Sequence, residues 1–367
     1  MINLARRRNA QFILLLLIVG AISVLLPIPK VFDKQGTPSE IQRIKQLHSV
    51  SEQAPLYEAL IKRVGPTQAQ EYLLHSGLPF DGQTHLLNHT VGNYLYQTYG
   101  AKGLLYCKDY FLSSCYHGFV LNAIGKGGRP EIQRIIEECA KHGSAVLGQC
   151  AHALGHGLLA FAGYASLLQA LKGCDEAAQQ SPSLPLFNCY DGVFMENVWG
   201  IHDGKPSPDR WVKPQDPLYP CNDPRIPSKY LPGCWSNQPS LMYQLFNSNI
   251  ARVGQECLTV KDSYYQQICF DGLARQIHPL INGNADQARQ LCSLLPLPWP
   301  SECLISIARA AFSVGDRKLP SLICAFSVGE KQDTCYRNLL GMASPQEQAS
   351  LCASFTPAQR QRFCPVQ

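Results

Sequence analysis

Two pairs of histidines four residues apart are the side chains of this sequence best suited to chemistry. His152 and His156 lie in the segment CAHALGHG, and His85 and His89 have the same spacing. On a helix, residues four apart project from one face, one turn apart. Neutral imidazole is a common ligand of zinc, iron and copper. The spacing therefore indicates that each pair supplies two ligands to a metal ion.

Three of the histidines keep the same position relative to a cysteine. His117 and His152 each lie two residues after a cysteine. His85 has the same position if Gln83 replaces the missing cysteine of an earlier repeat. Because repeated units place equivalent residues on equivalent surfaces, we expect neighbouring helices to bring these histidines to one face. The predicted metal ligands are His85, His89, His117, His152 and His156.

Two carboxylates continue this series of positions. Asp191 lies two residues after the next cysteine of the series, and Glu196 follows it by about one helical turn. Packed helices lie ~8–10 Å apart, so both carboxylates are expected in reach of an ion held by the histidines. The predicted catalytic residues are Glu196 and Asp191. With zinc, one of them would be the base in hydrolysis, whereas iron or copper would indicate oxygen chemistry.

The number of ions stays open on the sequence alone. His85 and His89 are expected two helices away from His152, so they either use His117 as a junction or form a second site. The expected cofactor is therefore one or two transition-metal ions, of Fe, Cu or Zn. The alternative is a structural ladder, in which each histidine bonds a backbone carbonyl of the next repeat.

The other residues of similar type are interpreted as structural. Asp271 is expected to start a helix, and His202, in a loop, is a marginal site residue. The sequence has no GxSxG, Walker, GxGxxG or HExxH motif. Histidines assigned to the surface or to the core are His48, His75, His142 and His278.

Sixteen cysteines without a single CxxC motif favour disulfides in an oxidising compartment over metal sites. Two pairings are open. Each cysteine near a helix end either bonds across the loop to the cysteine opening the next helix, or closes a hairpin, as Cys150 with Cys174 would. Only loop pairing uses all sixteen, and each closed loop stabilises by about 3 kcal/mol. The loop pairs would be Cys107–Cys115, Cys139–Cys150, Cys174–Cys189, Cys221–Cys234, Cys257–Cys269, Cys292–Cys303, Cys324–Cys335 and Cys352–Cys364.

The second cysteine of each pair opens a helical pattern that repeats along the chain. From Cys115 to Cys335 the spacings between successive openers are 35, 39, 45, 35, 34 and 32 residues. The third residue after each opener is Gly, Ala, Ser or Asn, which permits close helix packing. The pattern resembles the helical-hairpin repeats that include tetratricopeptide and Sel1-like repeats, over residues 81–364. The resemblance implies an all-α, right-handed α-solenoid of helical hairpins, and no function.

The N-terminus predicts a membrane anchor. Arg6, Arg7 and Arg8 precede an apolar segment at 10–29, so residues 1–9 would be cytoplasmic and the chain after Lys30 extracytoplasmic. A cleaved secretory signal is the alternative, but no small-residue cleavage site follows the segment. The expected location is a single-pass membrane protein with its bulk in the periplasm or an equivalent lumen.

The remaining divisions follow from composition. A linker at 30–50 precedes N-terminal helical repeats at 51–200, a proline-rich insertion at 201–239 and C-terminal repeats at 240–367. Nine prolines between Gly204 and Pro239 predict an extended loop and exclude a helix there; the loop is either a lid or a packed surface segment.

Partners and function are predicted at the level of class. The net charge is only +5 and no dense basic run follows the anchor, so nucleic acid is not an expected partner. The first functional hypothesis is a membrane-anchored, metal-dependent oxidase, hydroxylase or hydrolase. The alternative is a non-catalytic repeat scaffold that binds a periplasmic partner protein.

Overall fold

The described residues fold almost entirely into helices. The computed structural model describes residues 38–79, 82–202, 205–313 and 316–364. The predicted anchor at 10–29 and the residues before it therefore lie outside the described residues. The predicted all-α class is confirmed for the described part of the chain, whose strands are two short ones.

The helices before the His-bearing repeats begin where the sequence offers caps. Ser49 and Glu52 form a reciprocal capping box at one helix start, and Pro66 occupies the first turn of the next, where its missing N–H costs nothing. The helices of the N-terminal half are α1 Ser39–Ile44, α2 Val50–Val64, α3 Pro66–Leu74, α4 Gly82–Tyr99, α5 Ser114–Gly127, α6 Arg129–Ala140, α7 Ser144–Ala162, α8 Leu167–Gln180 and α9 Leu186–Trp199.

The C-terminal half continues with shorter helices. The short 3-10 helices of the chain are Gly100–Tyr106, Tyr164–Ser166, Ser228–Tyr230 and His278–Ile281. Strands β1 Ile201–His202 and β2 Lys205–Pro206 form an antiparallel ladder after α9. The later helices are α10 Leu231–Leu245, α11 Ile250–Leu258, α12 Ser263–Ile277, α13 Ala285–Cys292, α14 Trp299–Ser313, α15 Leu319–Cys324, α16 Gly329–Met342, α17 Pro345–Ser354 and α18 Pro357–Phe363.

Helix α4 and the helices that carry the opening cysteines pack in chain order. α4 packs on α5, α5 on α7, α7 on α9, α9 on α10, α10 on α12, α12 on α14, and α14 on α16. The intervening helices α6, α8, α11, α13 and α15 each pack against their sequence neighbours in this row. Apolar side chains of both sets form one continuous buried core. Each repeat therefore buries its apolar face against the next.

All sixteen cysteines lie in pairs at disulfide distance, and the pairing is the one across loops. The Cα–Cα separations run from 5.5 Å to 6.4 Å. From Cys115 to Cys335 the opening cysteines lie in the first or second helical turn, so the helices begin up to six residues before them, whereas Cys364 follows the last turn of α18. The pairs are Cys107–Cys115, Cys139–Cys150, Cys174–Cys189, Cys221–Cys234, Cys257–Cys269, Cys292–Cys303, Cys324–Cys335 and Cys352–Cys364.

Small residues bring two helix pairs of the N-terminal half into backbone contact. A Cβ on Gly192 of α9 would lie 1.9 Å from the carbonyl oxygen of His152, and one on Gly155 of α7 would lie 2.1 Å from that of Cys189. Gly92 of α4 and Gly118 of α5 have the same reciprocal relation. Side chains next to these glycines are therefore held unusually near the neighbouring helix.

Two sequence interpretations are wrong in detail. Asp271 lies in the middle of α12, and the residue that caps this helix is Asp262, which accepts from the N–H groups of Tyr264 and Tyr265. The proline-rich segment is not free of helix, because α10 begins at Leu231. Pro232 stands in its first turn, where no N–H is needed, and only Pro239 interrupts its hydrogen bonds.

One helix of the described residues is long and apolar enough to cross a membrane by length and composition. It is α7, and 56% of its most apolar window is buried inside the protein. A buried core helix has the same composition. Since α7 carries His152 and His156 between α5 and α9, the packing identifies it as the centre of the N-terminal half.

Candidate metal centre

The five predicted histidines lie together, on α4, α5 and α7. One group contains His85, His89 and His117, and a second contains His117, His152 and His156. In each group, one ligand atom from every residue lies within 4.8 Å of the others. His117 belongs to both groups and is fully buried. Both groups have the size and the ligand type of a site that could hold a metal ion.

His152 and His156 are oriented by carboxylates from the adjacent helix. The Nδ1 atom of His156 lies 2.7 Å from Oε2 of Glu196, and Nδ1 of His152 lies 3.2 Å from Oδ2 of Asp191. Both carboxylates belong to α9, which Gly155 and Gly192 hold against α7. The close helix packing therefore places an acceptor behind each imidazole.

These contacts determine where the imidazole protons are. An ionised carboxylate only accepts hydrogen bonds, so the Nδ1 atoms of His152 and His156 carry the protons. In neutral imidazoles, both Nε2 atoms are then bare acceptors, and they face each other across 3.1 Å. Two lone pairs at this distance repel unless a cation or an additional proton lies between them. The pair is thus arranged to bind a cation.

His85 and His117 form a second pair of ring nitrogens in close contact. The carbonyl oxygen of Phe111 lies 2.7 Å from Nδ1 of His85, which directs Nε2 of His85 inward. That Nε2 atom lies 3.1 Å from Nδ1 of His117. Phe111 opens a run of three non-glycine residues in the left-handed region, with φ between 51° and 58°. Such a conformation is costly, and it delivers the carbonyl that orients His85.

Two further imidazole nitrogens are buried without a hydrogen-bond partner among the described residues. They are Nε2 of His89 and Nε2 of His117. Leaving a buried polar atom unpaired costs about 1–3 kcal/mol. A metal ion bound by these nitrogens would remove that cost.

Burial keeps the histidines in the form that binds metal. Burial lowers the pKa of His85 to about 4, and it lowers the pKa of His89 and His117 well below the ordinary value. It also lowers the pKa of His152, although Asp191 partly opposes that shift. Ligating imidazoles must be neutral, so these four are ready to bind at neutral pH.

The two carboxylates have their oxygens engaged. Burial raises the pKa of Glu196, but hydrogen bonds from His156 and Tyr164 outweigh it, so the pKa lies below its ordinary value. The hydroxyl of Tyr164 donates to Oε1 of Glu196 at 2.5 Å. Glu196 thus contacts His156 through one carboxylate oxygen and Tyr164 through the other, and its predicted role as a general base stays a prediction.

Asp191 has a comparable network on the other side of the cluster. Asn237 Nδ2 donates to its Oδ1 atom at 2.9 Å, and the guanidinium of Arg275 lies 3.6 Å from the same oxygen. Burial raises the pKa of Asp191, but Arg275 and His152 lower it by more, so the pKa lies well below its ordinary value and the group is ionised. A carboxylate that accepts a hydrogen bond from a ligating imidazole fixes the orientation of that imidazole and raises its basicity.

Three residues of this network escaped sequence reasoning. Arg275 lies six residues after its opening cysteine, the position that His156 has in its own repeat, so its alignment was available as a signal. Asn237 lies three residues after Cys234, where the sequence predicted only a small packing residue. Tyr164 follows α7 outside any repeated position, and nothing in the sequence indicates its role.

The remaining histidines belong to neither of the two groups. His75 is largely exposed beside Glu71, His142 lies on the surface beside Glu138, and His48 lines a surface groove. His278 begins a 3-10 helix, and His202 lies on β1. A surface groove of about 390 Å³ has no histidine in its lining, which includes Asp175 and Lys229.

Comparison with known proteins gives no family for this chain. No family model, curated protein or solved structure matches it. The site is therefore interpreted from its own residues.

Proposed function

We propose that this protein is a metal-dependent enzyme whose ion is held by His117, His152 and His156. The observation that carries the proposal is the facing pair of Nε2 atoms on His152 and His156, 3.1 Å apart, each with a carboxylate behind its Nδ1 atom. Two nitrogens bound tetrahedrally at ~2.0–2.1 Å from one ion lie about 3.3 Å apart. The pair therefore needs only a small adjustment to bind.

The third ligand is the Nε2 atom of His117. Its Nδ1 atom is engaged with His85, and its Nε2 atom is buried without a partner. The ring of His117 lies 4.4 Å from that of His156 and 5.2 Å from that of His152, centroid to centroid. Three histidines leave one position of a tetrahedral ion open, as catalytic zinc sites do.

The bound ion would supply Lewis acidity and a nucleophilic water if it is zinc, or oxygen chemistry if it is iron or copper. The chain itself contributes orientation: Glu196 holds His156, and Asp191 holds His152. Because the side chain of His152 is 17% exposed and that of His156 only 7%, the approach is narrow. We infer a small substrate.

We further propose that the helices form a right-handed solenoid on a membrane anchor. The row of helices that pack in chain order, and the disulfide-distance cysteine pairs, support this architecture in an oxidising compartment. The apolar segment at 10–29 after three arginines supports the anchor. Protease added to spheroplasts should digest the region after Lys30, and full protection by an intact inner membrane would contradict this topology.

A scaffold without catalysis is the second candidate. It is favoured by the groove beside Asp175 and Lys229, which has no histidine in its lining. A repeat protein with such a surface binds partner proteins without chemistry at its histidines. This candidate predicts that the purified protein carries no metal.

The experiment is elemental analysis of disulfide-intact protein purified without chelator and without a metal-affinity tag. We expect stoichiometric Zn, Cu or Fe in the wild type and a sharp loss in His152→Ala. His142→Ala is the matched control, because His142 lies on the surface beside Glu138, and its metal content should equal that of the wild type. Absence of stoichiometric metal from the wild type would contradict the enzyme proposal and favour the scaffold.

A further inference from the structure

We propose that the cluster holds two metal ions, one on each side of His117. The inference rests on the proposed function, because the second group of ligands shares His117 with the first. One ion would be bound by the Nε2 atoms of His85 and His89 and by Nδ1 of His117. The other would be bound by Nε2 of His117 with His152 and His156.

The division into two groups follows from the ligand distances. Within the described residues, His117 is the one histidine that belongs to both groups of atoms within 4.8 Å of each other. Five imidazoles also exceed the four positions of a tetrahedral ion. A single ion bound by His117, His152 and His156 therefore leaves His85 and His89 without a metal, whereas two ions employ all five histidines.

Each group has the same internal composition. The first contains a pair of nitrogens 3.1 Å apart, from His85 and His117, and an unpartnered buried nitrogen on His89. The second contains a pair 3.1 Å apart, from His152 and His156, and an unpartnered buried nitrogen on His117. A facing pair plus one orphan atom is the donor set that a three-coordinate protein site needs. The structure contains that set twice.

The two sites differ in charge. Asp191 and Glu196 lie directly behind His152 and His156, whereas His85 is backed by the neutral carbonyl of Phe111. Two carboxylates offset the charge of a divalent cation, and so they favour the site on α7. We therefore expect the ions to bind in sequence, with the site at His85 and His89 the weaker.

The bridging position of His117 has a chemical consequence. A neutral imidazole carries one N–H proton, so when both ring nitrogens bind metal, that proton is released to water. Two copper(II) ions joined through one imidazole ring interact magnetically through it. Electron paramagnetic resonance of the copper-loaded protein therefore reports the bridge directly.

The experiment is a titration of metal-free, disulfide-intact protein with Cu²⁺, followed by bound copper and by spin count. We expect the wild type to bind two ions per chain, with full spin intensity after the first ion and reduced intensity after the second. His89→Ala and His89→Gln should each bind one ion with full spin intensity. His142→Ala should behave as the wild type, and circular dichroism of every variant should match it.

The outcomes separate this inference from the proposed function. A wild type that saturates at one ion, with His89→Ala unchanged, would overturn the second site while the site at His152 and His156 stands. Two ions with full spin intensity would overturn the bridge through His117. No copper binding by any form would overturn the proposed function as well.

Discussion

The N-terminal and C-terminal repeats share one packing scheme but differ at the residues that face across the helix row. Two residues after the opening cysteine, α5 and α7 carry histidine, whereas α12 carries Asp271 and α14 carries Ile305. Six residues after it, α7 has His156 and α12 has Arg275. Both halves pack their helices in sequence, with a disulfide-distance cysteine pair across the loop that precedes each opening cysteine. The repeats therefore pack without histidines, which argues against a structural ladder.

The same positions also differ in how their polar atoms are paired. In the C-terminal half, Ser306 donates to Asp271 at 2.5 Å, and Arg275 donates to the carbonyl oxygen of Ser236 at 2.8 Å. In the N-terminal half, His89 and His117 each retain a buried nitrogen without a partner. At these positions the polar atoms of Asp271 and Arg275 are paired within the protein, whereas two histidine nitrogens of the N-terminal half have no hydrogen-bond partner among the described residues.

The largest expected effect comes from removing the disulfides, because both halves depend on them. Each loop closure stabilises by about 3 kcal/mol in the chain-entropy model. Full reduction should therefore unfold the protein at temperatures where the oxidised form is intact, as measured by circular dichroism.

Removing one cysteine pair from each half tests whether the two halves contribute differently to metal binding. Replacing Cys292 and Cys303 with alanine should lower the midpoint of unfolding but leave the metal content unchanged. Replacing Cys139 and Cys150 should lower both the midpoint of unfolding and the metal content, because Cys150 lies on the helix of His152 and His156. Equal metal loss in the two double variants would remove the distinction between the halves.

Close helix packing predicts the next largest effect. In Gly192→Ala the new Cβ would lie 1.9 Å from the carbonyl oxygen of His152, so α7 and α9 must separate. We expect a loss of ~1–3 kcal/mol or more in unfolding free energy, together with weaker metal binding. Urea titration and metal analysis measure the two effects.

Two glycines serve as matched controls. In Gly272→Ala the new Cβ would lie 2.4 Å from the carbonyl oxygen of Ser236, so this variant should be less stable but keep its metal. Gly125→Ala meets nothing within 4 Å and should be neutral or stabilising, because alanine favours helix. If Gly192→Ala kept full metal affinity, the packing of α9 on α7 would not be what orients the site.

An intermediate effect is expected from the carboxylates behind the ligands. Glu196→Gln keeps the size of the side chain but weakens the hydrogen bond from His156, so metal affinity should fall ~10–100-fold with the fold intact. Asp271→Asn makes the same chemical change in the C-terminal half and should leave metal affinity unchanged. Competition with a chromogenic chelator measures both, and equal affinities in the two variants would contradict the orienting role.

The last effect is a pH dependence of the metal-free protein, confined to mildly acidic solution. Burial lowers the pKa of His85 to about 4 from an ordinary 6.5, and the pKa of His89 and His117 moves in the same direction. Between pH 6.5 and 4.5 the unfolded chain therefore binds protons that the folded chain does not. Stability should fall as pH falls, by at most about 1.4 kcal/mol per pH unit per histidine.

The chosen pH window excludes a competing carboxylate effect. Hydrogen bonds from Arg63 lower the pKa of Glu40 to about 2 from 4.5, so its stabilisation is lost only below pH 4.5. Urea midpoints measured at several pH values test the slope. A flat profile from pH 6.5 to 4.5 would show that the histidines titrate alike in both states.

Much of this arrangement follows from local sequence signals. The spacing of His152 and His156 predicts a shared helix face, and the small residues at Gly118 and Gly192 predict the close packing that the structure has. Loop pairing of the cysteines is favoured because, of the two pairings considered, only this one uses all sixteen. These features depend on residues close in sequence, or on a repeat that copies them.

The rest depends on contacts that no repeat copies. The left-handed run that begins at Phe111 supplies a carbonyl to His85, and Tyr164 reaches Glu196 from a 3-10 helix. The prediction that Asp271 starts a helix is wrong because residues near it in space, and not residues near it in sequence, decide its role. The helix that begins at Leu231 is not predicted because the number of prolines in a segment does not say where in a helix each proline lies, and a proline in the first turn is tolerated.

The most direct test of the metal centre is anomalous diffraction from crystals of protein purified without added metal. The account predicts an anomalous peak at a zinc, copper or iron absorption edge, ~2.0–2.1 Å from ring nitrogens of His117, His152 and His156. Electron density without an anomalous peak at that position, and with His152 and His156 hydrogen-bonded directly to each other, would contradict the metal centre.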